Sequence, residues 1–328
     1  MFRKRDRSEL EDFGDILQPT EAQEPILAPP VRAALTEWLT EIWAEKELKA
    51  VDLTPRRRAL FTGVPGTGKT TLAHHFAARL GLPMLVVRPE RFKTAYVHDS
   101  AASIGKLFHL VRQEESPVFL FMDEFDSVAS KRMDSGKNPV GEQDHNETIN
   151  ALLKSLDAHT GYVVAATNFA SRIDDAVWRR FEIQIDLETP GHGERRRILR
   201  RYFAPFVLPD RALDALSLSL ETATPALMRS FCEHVKRQIV VGPKANWEMS
   251  SQAVFARVVS SVQPHPDAGK PRLWSLGIND PGLASVPWPL AKSLSDYPNE
   301  EKGVEQPDPR GSNVTQLPTR KREGNSDG

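Results

Sequence analysis

The sequence predicts an α/β fold in which a parallel five-stranded sheet is flanked by helices and followed by a small helical unit. Two observations predict it. Short apolar, β-prone runs recur at Ala59–Thr62, Met84–Val87, Val118–Met122, Tyr162–Ala166 and Ile183–Leu187, with helix-forming stretches between them. That is the pattern of a parallel sheet covered on both faces. From Gly193 to about Ser261 the strands stop, and Glu194–Tyr202, Pro225–Val240 and Ser250–Val262 read as helices.

Taken in order, residues 1–25 are charged and polar and read as a flexible arm. Leu35, Leu39, Ile42 and Trp43 then recur at helical spacing, so about Val31–Ala50 forms an amphipathic helix. Residues 26–190 make up the α/β unit and 191–262 the helical one. From Val262 to Gly328, 10 of the chain's 25 prolines and 7 of its 19 glycines fall in 67 residues. Such a density rarely builds a core, so residues 263–328 read as a mostly disordered tail. Within it, Pro271–Gly277 and Val286–Leu290 carry Trp274 and Trp288, which either fold back on the body or dock a partner.

The chain holds 328 residues, 43 basic and 44 acidic. Divided at Val262, the tail has 8 basic and 9 acidic residues and the body 35 of each, so neutrality is real in both parts. Neither part has the net basic charge that nucleic-acid binding favours. The single cysteine, Cys232, excludes an intramolecular disulfide and a multi-cysteine metal site. No apolar run approaches the ~20 residues of a membrane span, and no signal-peptide pattern opens the chain, so a cytoplasmic location is expected.

The first strand runs into Gly63-Val64-Pro65-Gly66-Thr67-Gly68-Lys69-Thr70, with Thr71 continuing into a helix. Glycines let the backbone curl so that successive N–H groups face a phosphate, and the helix N-terminus adds positive potential. Lys69 would reach the β- and γ-phosphates of ATP and Thr70 would ligate Mg²⁺. Asp123 and Glu124 follow the apolar run Val118–Met122, at the strand end where open α/β sheets bind ligands. Asp123 would hold the metal shell and Glu124 would polarise an attacking water. Asn168 ends the next apolar strand, where it either touches the γ-phosphate and water or caps a turn. Arg179 and Arg180 precede the last strand; arginine stabilises charge on a transferring phosphoryl group, but adjacent arginines are also common on solvated faces.

In this order the features resemble the AAA+ ATPases, and within them the classical AAA group, over about Ile26–Val262. The matching elements are Gly63–Thr70 (Walker A), Val118–Asp126 (Walker B), Ala166–Asn168 (sensor 1) and Asp175–Phe181, the arginine-finger region. The resemblance implies a Mg²⁺-dependent ATPase acting as a homo-oligomeric ring, usually a hexamer, on a protein substrate. Arg179 and Arg180 would reach the nucleotide of the neighbouring subunit. It also implies that Ile26, Leu27 and Ala226 lie near the adenine and ribose. Tyr96 and Val97 fall at the family's substrate-gripping pore loop, with His98 where the family has glycine; Tyr96 packing under its own helix is the alternative. The polar segment Asp134–Gly141 would be a second pore loop. Thr224–Arg229 fits the small-residue pattern of the group's lid helix better than an arginine sensor at Arg229.

Two functions are therefore expected. The first is a motor that remodels, unfolds or disassembles a protein, its substrate chosen by the short arm, the Trp-bearing tail or a partner. The second is an ATP-gated assembly switch that recruits a partner, such as a protease, without threading it. A DNA-associated loader is disfavoured, since Arg56–Arg58 and Arg195–Arg197 read as solvated or ion-paired.

Overall fold

The computed structural model describes residues 9–89, 100–114, 117–132 and 139–297. Six strands, β1 (Gly14–Leu17), β2 (Arg58–Thr62), β3 (Met84–Val87), β4 (Phe119–Met122), β5 (Val163–Thr167) and β6 (Ile183–Asp186), form one sheet in the order β1-β3-β4-β5-β2-β6. The five strands expected from the sequence are the parallel ones.

β1 corrects the reading of residues 1–25 as a flexible arm. It runs antiparallel to β3, with Gly14 opposite Val87 and Leu17 opposite Met84. Its anchor is apolar: Leu10 and Phe13 are buried among Ile104, Leu107 and Phe108, each contributing about 1.5–3 kcal/mol of burial. Gly14 is required by contact, since a Cβ there would sit 1.8 Å from the Val86 carbonyl oxygen.

Alternation along the central strands feeds two apolar layers. On one face Phe61, Phe119, Phe121, Val164 and Ile185 meet helices α1 (Pro29–Trp43) and α2 (Lys69–Arg79), where Trp38 stacks on Phe76 at 4.0 Å. On the other, Leu60, Leu120, Met122, Val163 and Ala165 meet α3 (Ser100–Gln113) and α4 (Pro139–Ala158). Both faces are dry, which is why these strands read as unbroken apolar runs. The first helix ends earlier than expected, at Trp43, and a separate turn, Glu45–Lys49, follows.

The second unit holds α5 (His192–Phe203), α6 (Asp210–Ser219), α7 (Pro225–Val241) and α8 (Ser251–Ser261) around its own core of Leu199, Leu216, Met228, Phe231 and Phe255. α6 was not expected. Its Leu216-Ser217-Leu218-Ser219-Leu220 alternates as a strand would, yet Leu216 and Leu220 are buried and Leu218 is 51% exposed, which is helical spacing.

The boundary at 262 does not separate folded from unfolded chain. Residues 263–297 continue onto this unit, burying Leu273, Trp274, Leu283, Val286 and Leu290 in the same core; residues 298–328 lie outside the described ones. Trp288 donates from Nε1 to the Met249 carbonyl (2.7 Å), and the Tyr297 hydroxyl donates to the Val207 carbonyl (2.9 Å). Over residues 263–297 the prolines thus fall in turns between short apolar contacts rather than in disordered chain. At the junction the fully buried Asp280 accepts from Arg272 Nε (3.1 Å), the Ser219 hydroxyl and the Gly282 N–H (2.7 Å). Asp280→Ala leaves these donors unpaired and is expected to lower stability by about 2–4 kcal/mol in urea unfolding, with faster hydrogen exchange over 272–297. Among the described residues no helix is long and apolar enough to cross a membrane.

Candidate active site

The site is built where β2, β4 and β5 end at the carboxyl edge of the sheet. After Thr62 the chain turns through Gly63, Gly66 and Gly68, with φ of 136°, 83° and 98°, a region that side-chain-bearing residues adopt only with strain. Two of these glycines are also pinned by contact. A Cβ on Gly63 would meet the Leu187 carbonyl oxygen at 2.3 Å, and one on Gly66 would meet Ala226 Cβ at 2.9 Å. Gly68 caps α2, leaving the first N–H groups of that helix free for a ligand.

Lys69 is 7% exposed, and its ammonium donates to the carbonyls of Gly63 (2.6 Å) and Val64 (3.2 Å) and to Asn168 Oδ1 (2.7 Å). All three acceptors are neutral. Burial pushes the Lys69 pKa down, opposed by the charges of Asp123, Asp186 and Asp126. A buried cation with only neutral hydrogen-bond partners is a site prepared for an anion. Thr70 Oγ1 donates to Asp123 Oδ2 at 3.0 Å. This hydroxyl and carboxylate are hard oxygen donors, and they fit Mg²⁺ shared with a phosphate.

Glu124 is exposed, with φ of 45°. A non-glycine residue in this conformation costs of order 1–3 kcal/mol and points to a functional constraint. The neighbours hold it there: the Glu124 N–H donates to Asp123 Oδ1 (2.9 Å), and the Phe125 N–H donates to the Ala166 carbonyl (2.8 Å), tying this turn to β5. Asp126, not singled out in the sequence, accepts from Thr167 Oγ1 (2.7 Å), which in turn accepts from the Phe169 N–H (2.9 Å). That chain fixes Asn168 between them. Asp186, also missed, accepts from Thr62 Oγ1 at 2.7 Å where β6 flanks the phosphate loop. Asp126 closes the Walker B match without a role of its own being read there, and Asp186 has no sequence signal beyond being an acid near a strand end.

Lys69, Thr70, Asp123, Glu124 and Asn168 therefore converge. The two arginines do not join them, and they differ from each other. Arg180 is held by Asp157 through Nε (2.9 Å) and Nη2 (3.1 Å), at the end of α4, whereas Arg179 is exposed.

Beside the phosphate loop lies a cleft between the two units, lined by Ile26, Leu27, Thr71, Leu187, Ile198 and Tyr202 among others. Leu27 is buried in the core of the α/β unit, and Ile26 packs on that of the helical unit. Ala226 donates from its N–H to the Gly66 carbonyl (3.1 Å), so the start of α7 touches the phosphate loop directly. Thr224 caps α7, accepting from the Leu227 N–H (3.3 Å). Arg229 lines the cleft as well but is paired with Glu233 (2.7 Å) and lies 5.7 Å from the Tyr202 ring centroid. Tyr96, Val97 and His98 lie outside the described residues, as do 134–138 of the second expected loop; Pro139–Gly141 open α4.

The basic runs find their partners within the chain. Arg56 pairs with Glu37 and Glu41, Arg57 with Glu45 and Arg58 with Glu182. Arg195 is buried on the carbonyls of Pro190, Ser217 and Glu221, while Arg196 pairs with Asp210 and Asp214.

A glycine-rich loop between an inner parallel strand and a helix, with its lysine buried and an acidic pair at the end of β4, one strand removed across β5, defines a P-loop nucleotide-binding fold. Residues 59–189 match the family of ATPases associated with various cellular activities. The matched segment lies within the α/β unit of this chain.

The chain is 35% identical over 199 residues to the uncharacterized AAA family ATPase y4kL of Sinorhizobium fredii, covering 58% of this chain and 57% of that protein. It is 32% identical over 212 residues to the ATP-dependent zinc metalloprotease FtsH 3 of Sphaerobacter thermophilus (62% and 40%). With the proteasome-activating nucleotidase of Methanothermobacter thermautotrophicus it shares 30% identity over 189 residues (56% and 45%). The chain thus spans about half the length of the curated relatives it matches. The crystal structure of the FIGL-1 AAA domain superposes with a TM-score of 0.61 at 18% identity, over 80% of this chain and 91% of that one, a likeness of fold.

Proposed function

We propose that this chain hydrolyses ATP and uses the cycle to remodel, unfold or disassemble a protein partner as a homo-oligomeric ring. The observation that carries this reading is the convergence of Lys69, Thr70, Asp123, Glu124 and Asn168 on one end of the sheet. Backbone N–H groups of residues 66–70 and the Lys69 ammonium would bind the phosphates. Thr70 and Asp123 would hold Mg²⁺, which when bound neutralises charge on the β- and γ-phosphate oxygens. Glu124, free of the Asp123–Thr70 pair, would accept a proton from the attacking water, and Asn168 would orient that water or the γ-phosphate from the opposite side. Ile26, Leu27 and Ala226 would enclose the base and ribose.

Arg179 is the better candidate for an arginine delivered to a neighbouring subunit, because Arg180 is engaged by Asp157. The test is Arg179→Ala against Arg180→Ala in saturating ATP and Mg²⁺, with particle size measured alongside. Arg179→Ala is expected to lower turnover at least about 100-fold while assembly persists. A wild-type protein that stays monomeric in ATP and Mg²⁺ overturns delivery between subunits.

The names of the FtsH and proteasome-activating relatives support a role in protein turnover or remodelling. A second reading, an ATP-gated switch that recruits a partner without threading it, is favoured by His98 in place of a pore-loop glycine. Tyr96→Ala separates the two: loss of the effect on the partner with ATPase activity retained supports threading, and survival of both supports the switch. The internal pairing of the basic runs leaves a nucleic-acid role with little support.

A further inference from the structure

Residues 18–27 lie in a position that their sequence does not advertise. The Gln18 carbonyl meets His74 Nε2 at 2.8 Å, on the helix that follows the phosphate loop. Six residues later the Glu24 carbonyl accepts from Arg201 Nη1 (2.7 Å), and the Leu27 carbonyl accepts from Arg197 Nη2 (3.3 Å). Both arginines belong to α5, the first helix of the second unit. Between these anchors Ile26 packs on the helical unit and Leu27 on the α/β unit. The same stretch, with Gln23, Glu24 and Pro25, walls the cleft between the units. One short segment, a 3-10 turn at Pro19–Glu21 followed by irregular chain, is therefore fastened to both bodies and walls the space between them.

We infer that Arg197 and Arg201 are positioning residues for nucleotide binding: from the helical unit they hold the backbone of residues 24–27 in the shape that receives the base. The inference rests on the reading of this cleft as the nucleotide site. Arg197 belongs to the basic run Arg195–Arg197, and its own guanidinium is shared between Glu194 (3.1 Å) and the Leu27 carbonyl. A charged donor to a carbonyl is among the stronger hydrogen bonds a loop can receive. Irregular chain without sheet partners has few other means of staying ordered. The consequence is that the angle of the helical unit and the shape of the base pocket are not independent: when α5 moves, the Glu24 and Leu27 carbonyls move with it. The His74 anchor keeps the other end on the phosphate-loop helix, so the segment bridges the two halves of the cleft.

The test uses the full chain with Arg197→Ala, Arg201→Ala, Arg201→Lys and, as a control, Arg200→Ala, whose partner is the exposed Asp210. Hydrogen exchange of residues 22–28 is measured without nucleotide, and ATP and GTP affinities are measured by titration with fluorescent analogues. The Ala variants at 197 and 201 are expected to exchange faster over 22–28 in the free protein and to bind ATP about tenfold more weakly. The preference for ATP over GTP should narrow, with the thermal midpoint unmoved. Arg201→Lys, which keeps a donor, should restore part of the affinity, and Arg200→Ala should match wild type. Because Arg201 also lines the cleft, exchange in the free protein separates the roles: direct contact with nucleotide alone would leave it unchanged. Wild-type exchange over 22–28 in both Ala variants, or unaltered ATP affinity in both, overturns the inference. A wild-type protein that binds neither nucleotide overturns the cleft assignment instead.

Discussion

Glu124→Gln is expected to lower ATP turnover by at least about 100-fold, the range in which loss of a positioned general base falls, while ATP affinity stays within a few-fold of wild type. The physical basis is the division of labour across the acidic pair. Asp123 is engaged by Thr70 Oγ1 and by the Glu124 N–H, so it is committed to the metal side. Glu124, exposed and held at φ 45°, is the carboxylate left to meet water. The amide keeps the size and the backbone conformation but cannot accept a proton at neutral pH. Steady-state phosphate release and equilibrium nucleotide binding check the two halves separately. Turnover within threefold of wild type would assign the base elsewhere. The same variant, loaded with ATP in cell extract, should retain the partner that the wild type releases.

Lys69→Met is expected to weaken nucleotide binding by at least about 100-fold with little change in stability. The lysine is buried against three neutral oxygens, and burial works against its charge. Methionine fills the space of the aliphatic stem and removes the desolvation cost, while leaving the Gly63, Val64 and Asn168 oxygens without their donor. These opposing effects should hold the thermal midpoint within about 4 °C of wild type. Binding has no such compensation, because nothing replaces the cation facing the phosphates. Isothermal titration with ATP decides the point, and near-native affinity would sink the anion-site reading.

What was legible in the sequence follows a physical line. The five parallel strands are buried on both faces, so each appears as an apolar run and could be read without tertiary information. The phosphate loop was legible because its glycines sit at left-handed positions in a fixed spacing. β1 was not: Gly14-Asp15-Ile16-Leu17 contains two poor strand formers, and its pairing depends on Met84–Val87, some seventy residues away. The folding of residues 263–297 was only half legible, through Trp274 and Trp288, since their partners on α7 and α8 are remote in sequence. The difference between Arg179 and Arg180 could not be read at all, because it is made by Asp157 on another element. Asp126 and Asp186 were hidden for the same reason: their roles come from Thr167 and Thr62 across neighbouring strands.

The antiparallel β1 has a consequence for the behaviour of the protein in solution. Met84-Leu85-Val86-Val87 is an uncharged, β-prone run, and with its outer edge bare it would offer main-chain donors and acceptors to any passing strand. β1 occupies that edge. Among the described residues the opposite edge, β6, has no such cover, but its exposed side chains are Gln184 and Asp186, followed by the exposed Glu188, and like charges disfavour edge-to-edge pairing between copies. The two margins are guarded differently, one by a strand and one by carboxylates. The first guard comes from a distant part of the chain. It is synthesised before Met84–Val87, so β3 can be covered as soon as it is made, provided that residues 9–17 dock. Chains in which residues 9–17 fail to dock would therefore be lost to aggregation before they were lost to unfolding.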